Sequence, residues 1–164
     1  RVMKPIAFLV AQHPAINHAV ILREIRELRK HLEIRTASIR APDRPIEELS
    51  DEERDEAART HYIIPLGKLS ALAELVAVFT SRPISLIRGL AFALSLGGLR
   101  PKQMLRNIAY LAEAVLVGAW MERNNLQHLH IHYSSTIGLL AKCVFPIEIS
   151  ISFHGPDEFG RAHV

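Results

Sequence analysis

The chain has one cysteine in 164 residues, so no disulfide can close within it. A disulfide-stapled secreted scaffold is excluded, and a reducing, cytoplasmic setting is expected. Cys143 stands among Leu139, Leu140 and Val144, which reads as a buried core thiol. Long apolar runs are missing as well. The most apolar charge-free piece, Gly89 to Leu99, has 11 residues, and a spanning helix needs about 18 or more. Aromatic residues are only 6% of the chain and show no stacking motif, which argues against nucleic acid as a partner. Acids are missing from Leu75 to Ala112, where five bases stand alone: Arg82, Arg88, Arg100, Lys102 and Arg106. Such a stretch predicts a cationic surface suited to an anionic membrane face. An ordinary core helix with snorkelling arginines explains it equally well.

What is present points to one folded domain over residues 1–164. Hydrophobic residues make up 49% of the chain, enough for a real core at this length. Net charge is only +3, but the segment from Asp43 to Arg59 holds eight acids against three bases. It is expected to form an exposed acidic helix over Glu47 to Arg59.

The apolar run Pro5 to Ala11 suits a strand buried on both faces. Ile21, Ile25, Leu28 and Leu32 then recur at helical spacing, with charged residues on the other face and Asn17 as the expected N-cap. Glu33 to Ile39 reads as a second strand. Strand, helix and strand within about 35 residues make a βαβ unit and a parallel sheet. A third strand is expected at His61 to Ile64. Residues 68–123 read as a helical insert of three helices, the second with Pro83 in its first turn and an end at Gly97-Gly98, the third opened by Pro101. His128 to Tyr133 and Glu148 to Phe153 read as strands, with a helix from Ser135 to Val144 between them. The whole predicts an α/β, Rossmann-like parallel sheet with helices on both faces.

Chemistry in such sheets gathers past the carboxyl ends of the strands. The first strand ends in Gln12-His13-Pro14-Ala15-Ile16-Asn17-His18, a turn with no glycine, which disfavours a dinucleotide bound in the Rossmann manner. A helix N-terminus there favours an anion; solvated or capping histidines are the alternative for His13 and His18. His128, His130 and His132 alternate and so share one face of a strand. Same-face neighbours on a strand are about 6.6 Å apart and the outer pair about 13 Å, whereas zinc takes each nitrogen at about 2 Å. Two of them can share an ion, but no cysteine or carboxylate lies nearby in sequence, so no metal is assigned. His130 is expected to pack inside, and His132 is the one placed for ligand contact. The last strand runs into His154-Gly155-Pro156-Asp157, where Gly155 lets a ligand approach the backbone and Asp157 can orient His154.

In this order, Gln12 to His18, Ile21 to Leu28, His130-Ile131-His132 and Ile151 to Asp157 resemble the N-terminal half of glycosyltransferase family 4 enzymes of the colanic-acid and exopolysaccharide type. The resemblance implies half of a GT-B fold, in which two Rossmann-like domains face a cleft. It also implies sugar transfer with retention from a nucleotide-sugar donor, without bound metal or cofactor, to a lipid-linked glycan held mainly by this half. Such enzymes build cell-envelope polysaccharide at the cytoplasmic face of the membrane. Carried over, His154 is the catalytic residue facing the donor sugar and its phosphates, and Asp157 helps fix its turn. His13, Asn17, His18, His132 and Gly155 line the substrate cleft. Asn17-His18-Ala19 stands where many relatives have Ser-Glu-Thr. Full enzymes of this kind have roughly twice the length, two domains of ordinary size. The donor-binding domain is therefore expected to be absent from these residues, and the fragment alone inactive. Two further readings stay open: a metal-dependent hydrolase using His130 and His132, and a module docking on membrane through Arg82 to Arg106.

Overall fold

Five short segments pair side by side into one parallel sheet in a computed structural model that describes residues 4–64, 68–96, 98 and 100–152. The strands are β1 (Ile6–Gln12), β2 (Ile34–Arg40), β3 (Thr60–Tyr62), β4 (His128–His132) and β5 (Glu148–Ser152). Their spatial order is β3-β2-β1-β4-β5, and every pairing is parallel. The helices are α1 (Ala19–Leu28), α2 (Asp51–Arg59), α3 (Lys68–Ser81), α4 (Pro83–Ser95), α5 (Pro101–Arg123) and α6 (Ser135–Val144). The fold is α/β and Rossmann-like, as the sequence predicts.

Side-chain alternation along the strands splits the core in two. Phe8, Val10 and Ile34 face Ile21 and Ile25 of α1. Ala7, Leu9, Ala37, Leu129 and Ile131 face the other way, into a larger cluster with α5 and α6. β1 is central and carries apolar side chains on both faces, which is why its sequence is a continuous apolar run rather than an alternating one.

The insert over residues 68–123 is a three-helix layer on the α6 side. Its last member, α5, has 23 residues, about 35 Å of helix against about 17 Å for a five-residue strand. A short connection ties the C-terminus of α5 to the start of β4, so its N-terminal half projects past the carboxyl rim of the sheet. Burial follows that geometry: Leu111 and Val115 are buried, whereas Leu105 and Ile108 at the projecting end are exposed. Only part of the stripe expected from Met104 to Val115 therefore meets the core.

Four local expectations are corrected. The acidic helix begins at Asp51, not Glu47, because Ser50 and Glu53 form a capping box. That helix is also not wholly exposed, since Glu56 is buried. Asn17 does not cap α1; it sits in a 3-10 turn over Ile16–His18, and the Ile16 N–H at its start donates to the Asp43 carboxylate at 2.8 Å. The Asp43 carboxylate thus satisfies the first N–H of the 3-10 turn from another loop, and α1 itself has no side-chain N-cap bond. Cys143 is free but only partly buried, on the outer side of α6.

Candidate functional site

From β1 the chain winds outward to β2 and β3, then crosses to β4 on the other side. The loops leaving β1 and β4 thus run to helices on opposite faces, α1 and α6. Where they part is the topological switch point, at the carboxyl ends of two adjacent strands, where doubly wound sheets characteristically form the crevice that holds ligands. Both helices begin there, and their N-terminal dipoles favour negative charge.

The β1–α1 loop is pinned from the β2 side. The His13 N–H donates to Ser38 Oγ at 2.9 Å, the Gln12 side chain donates to the Ala41 carbonyl at 3.0 Å, and the Tyr62 hydroxyl donates to the His13 carbonyl at 3.1 Å. Burial and the nearby Glu56 charge push the Tyr62 hydroxyl up to about 12, so it remains a donor. The His13–Pro14 peptide is cis. His18 closes the loop by donating from Nδ1 to the Gln12 carbonyl at 2.9 Å, and its ring stacks on Tyr133 with centroids 4.6 Å apart. Tyr133 follows β4 directly and has φ of 58°, a left-handed conformation that costs a non-glycine residue stability and tends to mark functional turns. The stacked pair bridges the two loops across the switch point.

His13 is fully buried beneath this loop, Asn17 is exposed and His18 is half-buried. Of the three, His18 therefore presents its ring to the crevice, while His13 supports the loop from inside. Glu56 lies 3.8 Å from the His13 ring and makes a two-pronged pair with Arg29. Thr36 adds its hydroxyl to the same carboxylate at 3.2 Å. Burial alone would raise the Glu56 carboxyl, but the contacts from His13 and Arg29 outweigh it and hold the group at about 2.

On β4 the expected roles of two histidines are reversed. His132 is fully buried, and His130 is the more exposed. The reason is α1, which covers the carboxyl end of this face. Phe8 packs against both rings, with centroids 4.7 Å from His130 and 5.8 Å from His132. His130 shares hydrogen bonds with Ser150 at 2.7 Å and Ser152 at 3.0 Å on β5. A carboxylate absent from the neighbouring sequence arrives from α1: Glu24 comes within 4.0 Å of His132 Nε2. Its signal is its place beside Ile21 and Ile25, on the flank of the stripe that packs on the sheet.

Glu113 of α5 was likewise passed over in the sequence. It is half-buried, its carboxyl is raised by burial, and the nearby Arg40 charge at the end of β2 opposes that rise. The basic residues divide. Arg88, Arg100, Lys102 and Arg106 are exposed, whereas Arg82 is paired with Glu122 and lies over the Phe145 ring. Around them α3–α5 expose Leu69, Phe79, Ile84 and Leu105, the last of them 71% accessible. Among the described residues no single helix is long and apolar enough to cross a membrane. His154, Gly155 and Asp157 lie outside the described residues. Set against protein-family models, curated proteins and solved structures, the chain finds no match in any of the three comparisons.

Proposed function

We propose that this chain is the acceptor-side half of a retaining glycosyltransferase of GT-B architecture, one that adds a sugar from a nucleotide-sugar donor to a lipid-linked glycan during polysaccharide biosynthesis. The observation that carries this reading is the switch point between β1 and β4, bridged by the stacked rings of His18 and Tyr133 and served by two helix N-termini, the place where such sheets form a ligand crevice. Such a crevice suits a diphosphate: the helix ends supply backbone donors and positive potential without the glycine-rich turn that a dinucleotide needs. In sequence, His154 follows the end of β5 by two residues, which suits a role beside the donor sugar, with Gly155 and Asp157 shaping its turn.

The helical layer supports a lipid-linked acceptor. Lys102 and Arg106 belong to the part of α5 that projects past the rim, with Arg100 immediately before its first residue and Leu105 exposed beside them. Cationic and apolar side chains together suit the face of an anionic bilayer. A membrane docked there lies beside the crevice, so the lipid tail of the acceptor can stay in the bilayer while its glycan enters the site.

The test is turnover by the complete gene product with a panel of nucleotide sugars and acceptor-bearing vesicles. Replacing His18 with Ala, or Tyr133 with Ala, is expected to lower kcat/KM about 10- to 100-fold, the scale of a lost positioning contact. His154→Ala is expected to lower it further. Turnover within a few-fold of wild type in all three variants would overturn the assignment.

A further inference from the structure

We propose that Glu24, His130 and His132 form a binding site for a divalent first-row metal ion of the zinc class. The site stands independent of the transferase reading. One ligand atom from each residue lies within 4.8 Å of the other two. Tetrahedral zinc with bonds of about 2 Å holds its ligands roughly 3.3 Å apart, so the three must close by at most about 1.5 Å, a distance on the scale of side-chain rotation. The two histidines alternate on one strand, and their rings meet edge to face with centroids 4.7 Å apart. Glu24 reaches them from the helix laid across that strand, so the ion would tie α1 to β4 just beneath the rim.

The surroundings fit ligand geometry. Metal-bound histidines characteristically donate their second ring nitrogen to a neighbouring oxygen, which fixes the ring. Ser150 Oγ lies 2.7 Å from His130 Nδ1 and can accept a hydrogen bond from its N–H, leaving Nε2 to bind the ion. The Ser152 hydroxyl, 3.0 Å from Nε2, then turns aside. Two imidazoles and a carboxylate form a borderline donor set that favours zinc or cobalt over magnesium or calcium, which prefer oxygen alone. Among the described residues the site supplies three ligands, one fewer than tetrahedral coordination takes, and the Glu24 side chain is 36% exposed.

The experiment titrates the purified chain with cobalt(II), reading the visible d–d bands, and then displaces cobalt with zinc while recording the melting temperature. One ion per chain and a rise in melting temperature with zinc are expected. His132 is wholly buried and its replacement can unfold the chain, so Glu24→Gln and His130→Gln are the deciding variants, with far-ultraviolet circular dichroism as the check on folding. Each is expected to weaken binding by more than about tenfold, and Ser150→Ala by roughly tenfold through loss of ring orientation. His31→Ala, on an exposed residue, should bind as wild type does. No stoichiometric binding, or binding unchanged by Glu24→Gln and His130→Gln in folded protein, would overturn the proposal.

Discussion

Glu56 has the most to say about single residues in this fold. It belongs to the acidic segment that composition marks as solvated, yet it is buried against Arg29, Thr36 and the His13 ring. Its folded-state carboxyl sits at about 2 instead of 4.5. A depressed carboxyl stabilises the fold above its unfolded value, and that stability is lost as pH falls through the folded value. Wild-type stability is therefore expected to drop by roughly 3 kcal/mol between about pH 5 and pH 2 from this group. Glu56→Gln should cost about 3 kcal/mol at pH 7, because it leaves the Arg29 charge buried without its partner. It should also flatten that acid slope, as urea midpoints across the pH range would record. An unchanged slope would place the acid sensitivity elsewhere. Residue identities at the rim were legible in the sequence, but pairings were not. Asp43 capping the first loop, Glu24 meeting His132 and Glu56 meeting Arg29 all join separate segments, and no local pattern encodes such meetings.

At the scale of elements the sequence is far more informative. Amphipathic spacing marks α1, Pro83 and Pro101 mark the starts of α4 and α5, and short apolar runs mark the strands. The start of α2 was misplaced because Glu47 and Glu48 continue the acidic composition across a break that only the Ser50–Glu53 box decides. Packing between elements leaves sharp marks in the chain, Gly118 of α5 and Gly138 of α6 among them, and Gly118 is the one met by an aromatic ring. A Cβ there would stand 2.1 Å from Cδ2 and 2.7 Å from Cγ of the Phe145 ring. That ring is buried, with Arg82 over its face at 5.4 Å, so it cannot swing away. Alanine gains about 1 kcal/mol in helix propensity, but overpacking costs typically 1–3 kcal/mol and here should reach the upper end. Gly118→Ala is thus expected to lower stability by about 1–2 kcal/mol in a urea melt. A variant as stable as wild type would mean that α5 and Phe145 are not in close contact.

For the molecule as a whole, the doubly wound sheet was readable from the order of strand and helix signals alone, since parallel strands with crossover helices admit few arrangements. The exposed apolar and cationic face of α3–α5 was foreshadowed by the stretch without acids. The position of its α5 part past the rim follows only from the length of α5 against β4. Binding to anionic vesicles is expected to fall with added salt. It should also weaken several-fold in an Arg88→Glu, Arg106→Glu double variant, measured by co-sedimentation. Equal binding to neutral vesicles, or binding insensitive to salt, would argue for an ordinary solvated face.

The crevice between the β1–α1 and β4–α6 loops is the centre of the functional account, and backbone amide chemical shifts of this 164-residue chain test it most directly. On titration with a short-chain polyprenyl-diphosphate-linked sugar, shift changes should cluster at Gln12 to His18 and at His132 to Ser135, and weaken in His18→Ala. Changes confined to α2 or to the outer side of α6, or none at saturating ligand, would contradict the assignment.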